Sequence, residues 1–148
     1  MSHPEEKLAE LGLSVPEVAK PVAVYVPAVR SGQHVFTSGQ LPMRGGELMM
    51  TGKVGGDVSL EEAVECAQQC ALNAIAAVKA EVGDLASVSG VVKVVCFVAS
   101  TPDFTAAMAL RAHCSAHPFA SSGLTSPPTL PVSISSPFFI GSCPEVKT

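Results

Sequence analysis

A small polar triplet, Ser38-Gly39-Gln40, ends an apolar run in the segment HVFTSGQLP (34–42). A serine hydroxyl can donate or accept a hydrogen bond, and a glycine lets a ligand approach the main-chain N–H closely. The triplet therefore fits the floor of a small-molecule pocket. It fits a plain turn at the end of a strand as well, and the residues alone leave both interpretations open.

Two other groups of residues have the spacing of metal ligands. Cys66 and Cys70 lie four residues apart, and HCSAH (113–117) contains two histidines four residues apart. The cysteines fit the packing of a helix on a sheet equally well, and Pro118 disfavours a fixed site beside the histidines. We expect no metal site. The five cysteines follow no disulfide spacing, so we expect reduced thiols.

Composition predicts one domain over residues 1–148, with 47% hydrophobic residues available for a core. The net charge of −4 gives no general attraction to nucleic acid or to anionic membrane surfaces. No stretch stays apolar for the roughly 18–20 residues of a membrane helix. The acidic N-terminal segment is not typical of a signal peptide. We expect a cytoplasmic protein that binds neither nucleic acid nor membranes.

The elements that would position the triplet begin with two hairpins. The strand-like segments 22–29 and 34–39 flank the turn sequence RSGQ (30–33), which predicts the first hairpin. Gly45-Gly46 lies between short apolar runs in MRGGELMM (43–50) and predicts the second.

Two helices are expected within the first 83 residues. HPEEKLAELGL suggests a short amphipathic helix with acidic residues in its first turn. A longer one begins with the capping box of Ser59 and Glu62 and ends at Gly83. Its mostly small apolar stripe predicts close packing against a sheet. The stripe comprises Ala63, Ala67, Cys70, Ala71, Ala74, Ile75 and Val78.

The segment VVKVVCFVAS (91–100) predicts a central strand covered on both faces. Its single charge, Lys93, would lie at an edge or point into a cleft. TPDF (101–104) then opens a further helix. The fold class is therefore α+β, a mixed sheet with two helices packed on one face. An apolar opposite face would be covered by oligomerisation.

The composition changes near residue 105. Residues 105–148 contain 8 Ser, 6 Pro and three charged residues, whereas 1–104 resemble an ordinary α/β sequence. PVSISSPFFIG (131–141) is the best strand candidate in this tail, and Pro137 interrupts its pattern. Two explanations stay open: a shift of reading frame near residue 105, or a genuine variant with a replaced C-terminal segment.

Over residues 20–104 the chain resembles the Rid (YjgF-type) family of reactive intermediate, or imine, deaminases. Three segments in order carry the resemblance: FTSGQLP (36–42), TGKVGGDVSLEEAVECAQQCALNAIAAVKAEVGDLASV (51–88) and VVKVVCFVASTPDF (91–104). The resemblance implies a chorismate-mutase-like fold and a homotrimer with clefts between neighbouring subunits. It implies hydrolysis of enamines and imines such as 2-aminoacrylate to a 2-keto acid and ammonia, without metal or cofactor.

The resemblance also implies roles for individual residues. Ser38 and Gly39 would lie on the cleft floor and contact the substrate carboxylate or a water molecule. Tyr25, thirteen residues before Ser38, would form a wall of the cleft. A half-buried edge aromatic is the alternative for Tyr25.

The tail lacks the arginine and glutamate that the family uses to hold the carboxylate and to direct water. Arg111 is the single downstream guanidinium and is kept as a substrate-binding candidate, with an exposed helix residue as the alternative. Activity could therefore be impaired. The alternative function is a non-catalytic small-molecule-binding or interaction protein on the same trimeric fold. RNA cleavage, also associated with the family, is disfavoured by the acidic charge.

Overall fold

The computed structural model describes residues 3–18, 26–104, 130–132 and 137–140. The helices are α1 (Pro4–Glu10) and α2 (Leu60–Val82), with a short 3-10 turn at Leu85–Ser87. The strands are β1 (Ala28–Ser31), β2 (His34–Thr37), β3 (Met43–Arg44), β4 (Glu47–Leu48), β5 (Val88–Val91), β6 (Val95–Val98), β7 (Leu130–Val132) and β8 (Pro137–Ile140). Neither described helix combines the length and hydropathy needed to cross a bilayer.

Helix α1 confirms the predicted N-terminal helix. His3 caps it, and Leu8 turns into the core, where it is buried. Two polar contacts join α1 to the end of α2. His3 Nε2 lies 2.9 Å from Asp84 Oδ1, and Lys79 Nζ lies 2.5 Å from Glu5 Oε1. Both pairs are substantially exposed, so they orient α1 more than they stabilise it.

Both predicted hairpins are present. Strands β1 and β2 pair antiparallel around a two-residue loop in which Gly32 has φ of +58°. Strands β3 and β4 pair around Gly45-Gly46, with φ of +62° and +90°, a conformation that side chains other than glycine rarely adopt. The first part of the predicted strand, residues 22–25, lies outside the described residues.

Helix α2 is the packing centre of the described fold. Ser59 Oγ accepts from the Glu62 N–H over 3.2 Å, while the Glu62 carboxylate accepts from the Ser59 N–H over 2.8 Å, which confirms the capping box. The helix ends at Gly83, as predicted. Its apolar face packs on the first hairpin in a cluster of Ala28, Val35, Cys70, Ala74, Ala77, Val78 and Leu85. Burying a side chain such as Val35 contributes about 1.5–3 kcal/mol.

The prediction of one continuous strand over 91–100 is wrong. The structure has two strands, β5 and β6, joined by the exposed residues 92–94, and Lys93 lies on this link. Strand β5 pairs in parallel with β7, and β6 pairs in parallel with β8. Phe97 is 50% exposed, so β6 is not covered on both faces. A run of valines specifies β-propensity but not where one strand ends and the next begins.

Two strands occupy the Ser/Pro-rich tail, β7 and β8, close to the predicted segment 131–141. Pro137 begins β8 rather than interrupting a strand. The first residue of a strand tolerates proline because no main-chain N–H donor is required there. Residues 101–104 form a turn in which the Phe104 N–H donates to Thr101 O over 3.1 Å. The helix predicted to follow lies outside the described residues, as does the rest of the tail.

The first hairpin has two unlike faces. Ala28 and Val35 face α2 and are buried. Val29 and Phe36 are paired across the strands on the other face, where they are 50% and 40% exposed. The face that points away from α2 thus carries an exposed apolar pair beside Ser31 and His34 in the single chain.

Candidate functional site

Ser38 follows β2 directly and forms hydrogen bonds with the two residues just before β1. Its N–H donates to Pro27 O over 2.9 Å, and its hydroxyl lies 2.7 Å from Val26 O and 3.0 Å from Pro27 O. A hydroxyl has one proton, so the two carbonyls share it, and its lone pairs stay available as acceptors. Ser38 therefore fixes the main chain adjacent to Tyr25.

Gly39 and Gln40 complete the triplet in different ways. The Gln40 side chain is buried and folds back, so that Nε2 donates to Ser38 O over 2.9 Å. Gly39 is half-buried, and no residue in the described part of the chain accepts a hydrogen bond from its N–H. The triplet thus presents a donor that a ligand or water can use.

A buried amide holds the second half of the same loop. Asn73 Nδ2 on α2 donates to Leu41 O over 2.9 Å and to Met43 O over 3.0 Å. The two carbonyls lie on either side of Pro42, which is buried and has no N–H of its own. We call residues 38–43 the site loop, and Asn73 is its tether to the helix.

Two more side chains extend this tether to the surface. Gln69 Nε2 donates to Asn73 Oδ1 over 2.9 Å, and the exposed Arg44 donates through Nε to Gln69 Oε1 over 3.1 Å. We call Arg44, Gln69 and Asn73 the amide relay. Sequence reasoning missed the relay, although polar residues four apart within a buried helical stripe are a signal that could have indicated it.

Of the four predicted site residues, the structure describes two, Ser38 and Gly39, which are neighbours in the sequence. Tyr25 and Arg111 lie outside the described residues, so their place in the site stays a prediction. Tyr25 is nevertheless bonded directly to Val26, whose carbonyl accepts from Ser38.

The cysteines of α2 are part of the packing and not of this site. Cys66 and Cys70 are buried reduced thiols. Burial raises the pKa of both, and nearby Glu65 and Glu62 add to the effect at Cys66. Among the described residues, no group of three or more His, Cys, Asp or Glu side chains is arranged to hold a metal ion.

With this geometry in view, comparison with known proteins gives a clear result. The sequence model of the family described as "YjgF/chorismate mutase-like, putative endoribonuclease" matches residues 5–124. The chain belongs to this family. The match extends beyond both ends of the region 20–104, and it confirms the α+β, chorismate-mutase-like fold class. Members of the YjgF family are typically oligomeric and bind small molecules.

Individual relatives agree with the family assignment. Protein TCP17 from Trypanosoma cruzi is 40% identical over 98 residues, which are 66% of this chain and 61% of that protein. The chain thus spans less than two thirds of this relative. The crystal structure of Atu1372, a protein of unknown function from Agrobacterium tumefaciens, is 41% identical with a TM-score of 0.64, and the match covers 75% of this chain and 68% of the other.

A more distant structure shares the fold alone. It is described as a "putative endoribonuclease" from Shewanella oneidensis and is 23% identical, with a TM-score of 0.63. The match covers 93% of this chain and 89% of that one.

Proposed function

We propose that this protein is an imine/enamine deaminase that hydrolyses 2-aminoacrylate-type intermediates to a 2-keto acid and ammonia. Membership of the YjgF family supports a small-molecule site. The observation that carries the proposal is the half-buried Gly39 N–H, which no described residue engages, beside a serine hydroxyl with available lone pairs. Such a pair can receive a small anion and a water molecule.

An enamine first becomes the imine when a proton moves from its nitrogen to its terminal carbon. Water then adds to the C=N bond, and ammonia is expelled. In our proposal the substrate carboxylate accepts from the Gly39 N–H, and Ser38 Oγ accepts from the attacking water or from the protonated imine nitrogen. Water oxygen bonds to the imine carbon, the nitrogen takes up the protons, and the carbon–nitrogen bond breaks to leave the ketone. Hydrolysis of a C=N bond is redox-neutral, so the proposed step needs no redox cofactor.

The remaining groups belong to an assembly that we propose to be a homotrimer with clefts between subunits. The exposed apolar pair of Val29 and Phe36 supports it, because a neighbouring copy would remove that face from water. We propose Tyr25 as a wall of the cleft and Arg111 as the anchor of the carboxylate, since a guanidinium binds both oxygens. Reduced thiols at Cys66 and Cys70 agree with a cytoplasmic location.

The proposal is tested by coupling the purified protein to an enzyme that generates 2-aminoacrylate and following the loss of imine. Faster loss than in the uncatalysed reaction supports deamination, and an unchanged rate refutes it. Arg111→Ala should raise KM because a binding contact to the carboxylate is lost. Arg30→Ala is the matched control, since Arg30 is exposed at the end of the first hairpin.

A second candidate is a non-catalytic protein that binds small molecules on the same trimeric fold. The sequence favours it at one point: residues 105–148 contain a single Arg and a single Glu, at positions 111 and 145. Saturable binding of a 2-keto acid such as pyruvate, without acceleration of imine hydrolysis, would establish this alternative. RNA cleavage is disfavoured by the net charge of −4, and incubation with single-stranded RNA tests it.

A further inference from the structure

We propose that the amide relay is a positioning device through which Arg44, at the surface, sets the conformation of the site loop. The site loop holds Ser38 and Gly39, the two groups assigned to the substrate. Its main chain is fastened to α2 by Asn73 alone among the described side chains of that helix. The inference concerns Arg44, Gln69 and Asn73 as positioning residues, none of which touches the substrate.

The relay has a direction that its two ends impose together, a donor-only guanidinium at the surface and acceptor-only carbonyls in the site loop. Arginine can only donate, so Gln69 must turn its oxygen toward Arg44. Its amide nitrogen then faces Asn73, whose oxygen accepts and whose nitrogen is left facing the site loop. Every bond in the chain therefore donates inward from the surface, and hydrogen bonds aligned in this way strengthen one another.

The amides of Gln69 and Asn73 are buried, so a wrong orientation would leave their polar atoms without partners. The Gln69 and Asn73 residues are 6% and 5% exposed, so water cannot readily replace a lost partner. A flipped Gln69 would set its donor against the Arg44 donor, and a flipped Asn73 would set its oxygen against the carbonyls of Leu41 and Met43. The guanidinium at one end and the two carbonyls at the other thus favour the same orientation of the two buried amides.

The other end of the relay reaches the proposed substrate groups. Asn73 holds the carbonyls on both sides of Pro42, and the buried Gln40 holds the carbonyl of Ser38. Gly39 lies between these two fixed points. The Ser38 carbonyl and the Gly39 N–H belong to one planar peptide, which the Gln40 side chain holds at its oxygen. A change in the conformation of residues 41–43 therefore reaches the Gly39 N–H through the neighbouring Gln40, although no relay residue contacts it.

The decisive variant is Gln69→Glu. A carboxylate still accepts from Arg44 but cannot donate to Asn73, so the relay is interrupted at its middle while size and helix propensity are nearly kept. Gln68→Glu is the matched control, because it makes the same change one residue earlier at a half-buried position outside the relay. Both variants add one negative charge, which removes net charge as an explanation.

Two measurements on the full chain test the relay without any assumption about activity. The Met43 N–H donates to Leu41 O and the Met49 N–H donates to Pro42 O, so their hydrogen exchange reports on the site loop. We expect exchange at both to rise about tenfold or more in Gln69→Glu and to stay unchanged in Gln68→Glu. The amide resonance of Gly39 should shift in Gln69→Glu alone. Unchanged exchange and an unchanged Gly39 resonance would overturn the inference.

A surface substitution keeps the inference falsifiable if Gln69→Glu fails to fold. Arg44→Met removes the donor at the start of the relay and leaves the buried amides in place, so it should raise exchange at Met43 and Met49. Arg44→Lys, which keeps a donor, should restore part of the protection. Equal exchange in Arg44→Met and the wild type would overturn the role of Arg44.

The kinetic arm rests on the proposed deaminase function. There we expect Gln69→Glu to raise KM more than it lowers kcat, because the loop presents a binding group. If the wild type shows no deaminase activity, the proposed function fails while the exchange data still decide the relay. If the wild type is an active deaminase and hydrogen exchange at Met43 and Met49 is unchanged in Gln69→Glu, the relay fails and the proposed function stands.

Discussion

Ser38 Oγ lies 2.7 Å from the main-chain oxygen of Val26 and so ties the end of one strand to the approach to another. This contact makes the serine a structural fastener as well as a candidate site residue. Its hydroxyl proton is directed to the main chain, which leaves acceptor capacity toward a ligand. A catalytic effect of mutating Ser38 must therefore be separated from a structural one.

Ser38→Ala is expected to lower the free energy of unfolding by about 1 kcal/mol, the typical net contribution of one hydrogen bond. Urea denaturation measures this. Ser14→Ala, at an exposed position, is the control and should change little. Equal stability of the two variants would show that the contacts with Val26 and Pro27 contribute nothing net.

Asn73→Ala is expected to lower the free energy of unfolding by more, about 3 kcal/mol. Met43 O and Gln69 Nε2 lose the partner that Asn73 provides, and the shorter side chain leaves a small cavity. The measurement is again the midpoint of urea denaturation with an unchanged slope. Gln68→Ala on the same helix provides the comparison. A loss below about 1 kcal/mol would contradict a buried tether.

The two buried thiols should make stability fall at alkaline pH. Their pKa is raised in the folded protein by burial, so the unfolded chain releases protons first as the pH passes the ordinary value of 9.0. The stabilising contribution is complete below that pH and is lost as the pH rises above it. A Cys66→Ala/Cys70→Ala double variant should show a flatter decline between pH 8 and pH 10.5.

The same pKa shifts predict slow alkylation of the two buried thiols. At pH 8, Cys66 and Cys70 should react with iodoacetamide far more slowly in the native protein than in urea, since burial suppresses the thiolate. Peptide mass mapping after timed labelling gives each rate separately. Native rates equal to the rates in urea would mean that the face of α2 opens readily.

The exposed pair on the first hairpin predicts an effect on assembly. Phe36→Glu should convert the proposed trimer into monomers, because a charge would be buried at an apolar contact. Light scattering after gel filtration measures the mass. Gln33→Glu, in the exposed loop of the same hairpin, is the control. A monomeric wild type would remove the trimer from the proposal.

Local chemistry was sufficient to predict part of this fold. The capping box at Ser59, the glycine at position 83 and the Gly45-Gly46 turn each act within a few residues, and the structure has all three features. The division of 91–100 into two strands could not be predicted in this way. It depends on pairing with β7 and β8, which come more than thirty residues later.

The site followed the same rule. Ser38 and Gly39 were recognisable because residue type and position coincide at a strand end. The relay of Gln69 and Asn73 was missed because the helix was searched for apolar periodicity, and because the acceptors of Asn73 lie in a distant loop. A buried Asn or Gln side chain on the apolar face of a helix indicates that a nearby main-chain segment needs hydrogen-bond partners.

The bond from Asn73 to Leu41 spans 32 residues of sequence, whereas the neighbouring hairpins and the helix are built from short-range contacts. Closing such a distance costs chain entropy that the local elements do not incur. We therefore expect the site loop to be completed late, after helix and hairpins have docked, so that a partially folded chain would have native-like secondary structure without an ordered site loop.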